Sequence, residues 1–224
     1  MSEQPQRKRR AKGAAALEDL LTTTETLLVE RGYHGLSIRD IAKEAGVNLG
    51  SVYYYSSSKE DLIRLAIERR IAPINAERVR RFMAIEAAPP GDVGEALRQV
   101  LAAFIEPALS VAGAESEEDA ARARAVHTRI HRDAAPEIVK MVYELYGEAG
   151  AMLLRLARRF TPHLSDEAFH WRIMCVLGTA RFATIREPWV VAMAHGQFVG
   201  DDAGEGARQL VTMLHAGLMA PAPG

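Results

Sequence analysis

Two histidines four residues apart, His127 and His131, form the pair whose spacing comes nearest to a metal-binding arrangement. Residues i and i+4 share one face of a helix, and two imidazoles there can take the same ion. The intervening Thr128-Arg129-Ile130 lacks the glutamate of a zinc-protease helix and puts a cation beside the pair, so no metal and no cofactor is expected. His163, His170, His195 and His215 are scattered and read as packing or surface residues. The single Cys175 excludes an internal disulfide; within WRIMCVLG it is expected to be a buried thiol in a reducing cytoplasm. Nucleophile elbow, P-loop and dinucleotide glycine patterns are all missing, which argues against an enzyme.

The chemistry that remains is recognition of DNA, and it lies between Leu36 and Leu62, in LSIRDIAKEAGVNLGSVYYYSSSKEDL. Ser37 and Asp40 form an N-terminal capping signature, so a helix is expected to begin there. Ile38, Ile41, Ala42 and Ala45 line one face of it, leaving Arg39, Asp40, Lys43 and Glu44 to solvent. Gly46 ends it. Asn48 is a good N-cap for a second short helix running to about Tyr55, and the short turn between the two is that of a helix-turn-helix. Val52 anchors this second helix, while Leu49, Gly50, Ser51 and Tyr53 are expected to read bases. Ser37, Tyr54, Tyr55 and Lys59 are expected to hold phosphates, with Arg39 and Asn48 completing the DNA-facing set. Each tyrosine taken alone reads equally well as core, but three consecutive helical residues cannot share one buried face.

In these residues the segment resembles the DNA-binding domain of the tetracycline-repressor-like (TetR) transcriptional regulators, carried by SIRDIAKEAGV, GSVYYY and SKEDL in that order. One departure is visible: the family usually closes the aromatic run with phenylalanine, and here the position is Ser56, which bears on the angle of the recognition helix.

The elements that must position this module follow from periodicity. Leu17, Leu20, Leu21, Thr24 and Leu28 predict a helix over about 14–31 with Gly32 as its C-cap. Ahead of it, Arg7, Lys8, Arg9, Arg10 and Lys12 suggest a flexible basic arm over residues 1–12. Residues 1–81 hold 15 of the 28 Lys+Arg but 11 of the 29 Asp+Glu, so the basic share sits at the front. The helix-turn-helix domain is expected over 13–60 and a larger helical domain over 61–220. From Lys59 a helical pattern runs towards Ala87 across Pro73, and Pro89-Pro90-Gly91 breaks it. Further stripes begin at Val93, near Asp119, at Pro136, after Ser165 and near Ala207, with a loop at Glu187-Pro188-Trp189 and a turn at Gly200-Asp201-Asp202. Strand signals are unconvincing throughout, so the expected fold is all-α. No run of apolar residues suits a membrane span or a signal peptide, which points to a cytoplasmic protein.

ERRIAPINAERVRR, IHRDAAPEIV and TPHLSDEAFHWRIMCVLGTARFA look like the PsrA-like branch of the same family. That resemblance implies a C-terminal ligand-binding and dimerisation domain, whose last two long helices pair with their copies, and an acyl-type effector. Phe169, Ile173, Leu177, Leu210 and Leu214 are the expected dimer contacts. The effector is expected between the joining helix, the Val93 helix and the long helix from Pro136, with Phe104, Arg129, His131, Tyr143, Tyr146 and Arg181 as candidate lining or anchors. The expected partners are a palindromic operator, a second copy of the chain and a small molecule, with no membrane. A helical adaptor carrying a vestigial helix-turn-helix, or a small helical metalloenzyme, are the competing readings, and sequence-specific DNA binding separates them from a regulator.

Overall fold

The computed structural model describes residues 3–185, 192–193 and 202–221, with side chains described from residue 13 onward. The Glu187-Pro188-Trp189 loop and the Gly200-Asp201 turn lie outside the described residues. Among the described residues the fold is all-α: α1 (Glu3–Arg31), α2 (Ile38–Glu44), α3 (Leu49–Tyr55), α4 (Lys59–Ala87), α5 (Val93–Leu109), α6 (Glu117–Arg132), α7 (Pro136–Arg159), α8 (Asp166–Ile185) and α9 (Ala203–Met219). None of these helices is long and apolar enough to cross a membrane.

The expected coil at the N-terminus is instead helical, because α1 begins at Glu3 rather than near Ala14. Arg, Lys, Gln and Ala are strong helix formers, and Pro5 falls in the first turn, where its missing N–H breaks no hydrogen bond.

The chain divides into two compact units, and the division falls inside α4, α6 and α7. The first comprises residues 1–70 and 121–144, and the second 71–120 and 145–224. The unit that carries the helix-turn-helix also includes residues 121–144, from α6 and α7.

In the first unit Leu20, Leu21, Leu27, Leu28, Ile41, Val52, Leu62, Ile63 and Ile67 are buried together with Val126, Ile130, Ile138 and Met141. A charged cluster sits in this core. Glu25 is fully buried, and Arg70 grips it through two 2.7 Å hydrogen bonds, from Nε to Oε1 and from Nη2 to Oε2. Arg69 adds a third from its own Nε at 3.0 Å. Glu25 lies four residues after Leu21 and three before Leu28, on the helix's buried face, and that spacing is the signal that could have revealed it.

In the second unit, Leu97, Val100, Leu101 and Phe104 of α5 form one apolar cluster with Leu153, Leu156 and Phe160 of α7, Ile173, Val176 and Ala180 of α8, and Ala207, Val211, Leu214 and Leu218 of α9. Pro107 is accommodated within α5 and Pro73 within α4, where Gly113 leaves room for the Pro73 ring: a Cβ at Gly113 would come within 2.5 Å of it.

Two expectations about side chains change here. Cys175 is exposed, because Ile173 and Val176 take the inward positions and Cys175 lies with Met174 on the other side of α8. Ile173 and Leu214 belong to the protomer's own core and so cannot be surface contacts, and Phe169 and Leu210 are partly buried against it. The exposed large apolar side chains on α8 are instead Trp171, Met174, Leu177 and Phe182, joined on α9 by Met213 and Met219.

Candidate nucleic-acid interface

The capping box expected at the start of α2 is complete. Ser37 has extended backbone (φ −123°, ψ 161°), its Oγ accepts from the Asp40 N–H at 3.2 Å, and its own N–H donates to Asp40 Oδ2 at 2.9 Å. Hydrogen bonds from the Ser37 hydroxyl and amide hold the Asp40 carboxyl below its usual range. The Ser37 hydroxyl, expected at a phosphate, is thus already used in the cap. Ile41 and Ala42 face the core, and Gly46 supplies the turn at φ 66°, a left-handed conformation that suits glycine.

Asn48 caps α3, with Oδ1 accepting from the Ser51 N–H at 2.8 Å. This explains Gly50 locally, since a Cβ there would lie only 3.2 Å from Asn48 Oδ1. Asn48→Ala is expected to cost about 1 kcal/mol, read as a lower Tm, and to weaken DNA binding as the first turn of α3 frays. An unchanged Tm would count against the cap.

Val52 is the one buried residue of α3. Around it Leu49 is 37% exposed, Tyr53 54% and Tyr54 82%. Arg39 and Gly50 are exposed as well, and Ser51 is half-buried. A seven-residue helix held by one anchor, with aromatic, small and polar groups outward, can enter a groove without unpacking the unit.

Tyr55 behaves differently from its neighbours. Its hydroxyl donates to the Gly13 carbonyl at 2.9 Å and ties α3 to α1, so it is a positioning residue rather than a phosphate ligand. Ser56, where an aromatic was expected, is buried; its N–H caps α3 on the Val52 carbonyl and its hydroxyl donates to the Ser58 carbonyl at 2.6 Å.

Lys59 was expected to hold a phosphate, but its Nζ donates to the Tyr33 carbonyl at 3.0 Å and lies 4.1 Å from the centre of the Tyr33 ring. The ammonium also donates to the Leu36 carbonyl at 3.4 Å and so pins both ends of the loop between α1 and α2. The same loop is held from the other side, where the Tyr33 N–H donates to Asp133 Oδ2 at 3.0 Å. Sequence reasoning missed Asp133, whose position just after α6 gave no periodic signal.

The candidates for effector binding are divided between the two units. Arg129, His131 and Tyr143 belong to the first unit, and Phe104, Tyr146 and Arg181 to the second. Arg129 packs on the Gly32 cap of α1, where a Cβ would meet its Nη2, and its Nε is 3.5 Å from Asp133 Oδ2. A cation there complements the negative end of α1. Tyr143 is 80% exposed, and Arg181 is exposed. The His127 and His131 ring centres are 6.2 Å apart, and no cluster of three metal-ligating side chains occurs among the described residues.

Residues 20–66 match the family described as bacterial regulatory proteins, tetR family, and residues 102–217 match the tetracyclin repressor-like C-terminal domain. The chain belongs to the tetR family. Over 54 residues it is 39% identical to an HTH-type transcriptional regulator in the lacX 3' region of Lactococcus lactis subsp. lactis, a match covering 24% of this chain and 28% of that protein. Over 45 residues it is 42% identical to the HTH-type transcriptional repressor KstR2 of Rhodococcus jostii (strain RHA1), covering 20% of this chain and 22% of that one. Those similarities are confined to a short segment of each relative. Among solved structures, the fatty acid degradation regulator FadR from Bacillus halodurans shares the fold at a TM-score of 0.60 and 16% identity, over 89% of this chain and 98% of that one. FadR from Bacillus subtilis, solved with stearoyl-CoA, does so at 0.56 and 14% identity, again over 89% and 98%. In the tetR protein described here, α2 and α3 are thus the helix-turn-helix, with α3 the recognition helix.

Proposed function

We propose that this tetR-family chain is a cytoplasmic homodimeric repressor that binds a palindromic operator through two copies of α3 and leaves it when a small effector binds the second unit. The observation that carries the DNA reading is the outward face of α3, where Leu49, Tyr53 and Tyr54 stay exposed around the single buried Val52. Leu49, Gly50, Ser51 and Tyr53 read bases, and Arg39 and Tyr54 reach phosphates. Dimerisation sets the two recognition helices one turn of DNA, about 34 Å, or a multiple of it apart. A ligand releases DNA only by binding one spacing of those helices better than the other. α4 supports this coupling because one helix contributes residues to both units. An acyl-type effector is favoured by the stearoyl-CoA bound to the B. subtilis FadR, together with the apolar stripes of α5 and α7.

The test is binding to operators selected from a random duplex pool. Ser51→Ala or Tyr53→Ala is expected to change preference at particular base pairs. Lys59→Ala is expected to weaken all sequences alike and to lower the Tm through loss of the loop clamp. Equal losses on every operator variant for Ser51, Tyr53 and Lys59 would sink the base-reading assignment, and an unselective pool would sink the regulator.

A further inference from the structure

The second unit contains a buried cation whose hydrogen-bond partners are all neutral. Arg78 of α4 is 3% exposed. Its Nε donates to the Phe104 carbonyl of α5 at 2.9 Å, and its Nη1 donates to Asn75 Oδ1 at 3.2 Å. The guanidinium carbon lies 4.1 Å from the Phe104 ring centre and 5.7 Å from that of Tyr146. Asn75 is itself fixed to α7 through the Leu145 carbonyl at 2.7 Å. Nearby carboxylates are committed elsewhere on α4: Arg80 and Arg81 hold Glu77, and Arg81 also holds Glu106. Among the described residues no acid pairs with Arg78, and no acceptor meets its Nη2.

A buried charge without a counter-ion is costly, and cation–π contacts with carbonyl dipoles offset only part of that cost. Burial lowers the Arg78 pKa to about 10, so it is still a cation at neutral pH. Burial also pushes Tyr146 up to about 12, against the pull of Arg78, so its phenol is neutral and supplies no counter-charge. A purely structural tie between helices could be made by a neutral glutamine without this penalty.

We propose that Arg78 is the anchor for a carboxylate-bearing amphipathic effector, whose headgroup takes the outer Nη1–Nη2 edge of the guanidinium and whose apolar body lies along Phe104. The inference rests on the effector-responsive reading above. A carboxylate matches that edge in two parallel hydrogen bonds and matches the single positive charge; a phosphate dianion would call for a second cation. α4, α5 and α7 all contribute atoms to this site, so occupancy acts directly on the helix shared by both units.

The experiment compares decanoate, decanamide and decyl phosphate at millimolar concentration with the full-length protein, by thermal unfolding. Decanoate is expected to raise the Tm by several degrees, while decanamide does not. Arg78→Gln is expected to keep its helical circular dichroism and lose the decanoate shift, and Arg78→Lys to keep part of it. Equal shifts with acid and amide, a shift retained in Arg78→Gln, a response to decyl phosphate alone, or no response to any probe would each overturn the proposal. Should Arg78→Gln fail to fold, the acid-versus-amide comparison on the unaltered protein decides. Operator binding is measured separately. A protein that binds no operator yet shows the Arg78-dependent shift would refute the regulator and leave the anchor standing; operator release by decanamide as readily as by decanoate would do the reverse.

Discussion

Leu177→Glu is expected to yield folded monomers, whereas Leu214→Glu is expected to yield no stable protein. The two leucines look alike in sequence, but Leu177 is 36% exposed on α8 beside Met174 and Phe182, and Leu214 is 6% exposed inside the α5–α7–α8–α9 cluster. A carboxylate on the outer face remains hydrated in the free protomer and is desolvated only when a second copy covers it. One placed in the core has no partner, and burying it costs several kcal/mol, enough to unfold a domain of ordinary stability. Because dimerisation makes the second half-site contact intramolecular, the Leu177→Glu monomer should bind its operator at least about a hundredfold more weakly. Sedimentation velocity together with circular dichroism separates the outcomes. Unaltered protein that is monomeric at micromolar concentration, or a dimeric Leu177→Glu, would remove α8 from the interface.

Glu25→Gln should be the most damaging single change in the DNA-binding unit. The carboxylate is fully buried and receives hydrogen bonds from both Arg69 and Arg70, and the amide would remove the buried negative charge that both guanidinium groups face. Breaking one partner of such a pair costs about 3–5 kcal/mol, in contrast to replacing the whole pair by apolar residues of similar volume. The double change Glu25→Leu with Arg70→Met should therefore recover much of the lost stability. Chemical denaturation of the three variants checks this. If Glu25→Gln loses less than about 1 kcal/mol, these buried ion pairs contribute no more than exposed ones do, and α1 is held on α4 by its leucines alone.

The local parts of the fold were legible because their causes are local. The Ser37–Asp40 box, the Asn48 cap, the Gly46 turn and the Val52 anchor each depend on residues within a turn of one another, and each stands where its residues predict. Helix stripes were legible for the same reason, since a 3.6-residue period is written along the chain. The basic segment before Ala14 misled because its charges suggested solvation while its helix propensities, with Gly13 the one unfavourable residue after the first turn, favoured continuation.

Only the tertiary structure decided which neighbour covers each apolar stripe, and that question cannot be answered from one helix. It sent Leu214 and Ile173 inward, left Cys175 and Trp171 outside, and turned Tyr55 towards Gly13 while Tyr54 stayed free of the core. It also turned three charged residues into internal ties. Lys59 reaches a carbonyl 26 positions away and Asp133 an amide 100 positions away, while Arg78 meets a carbonyl 26 positions on. A hydrogen bond between residues so far apart leaves no periodic trace, because its geometry depends on how whole helices pack; the sequence determined the recognition module and the helical class, and packing determined which charges hold it in place.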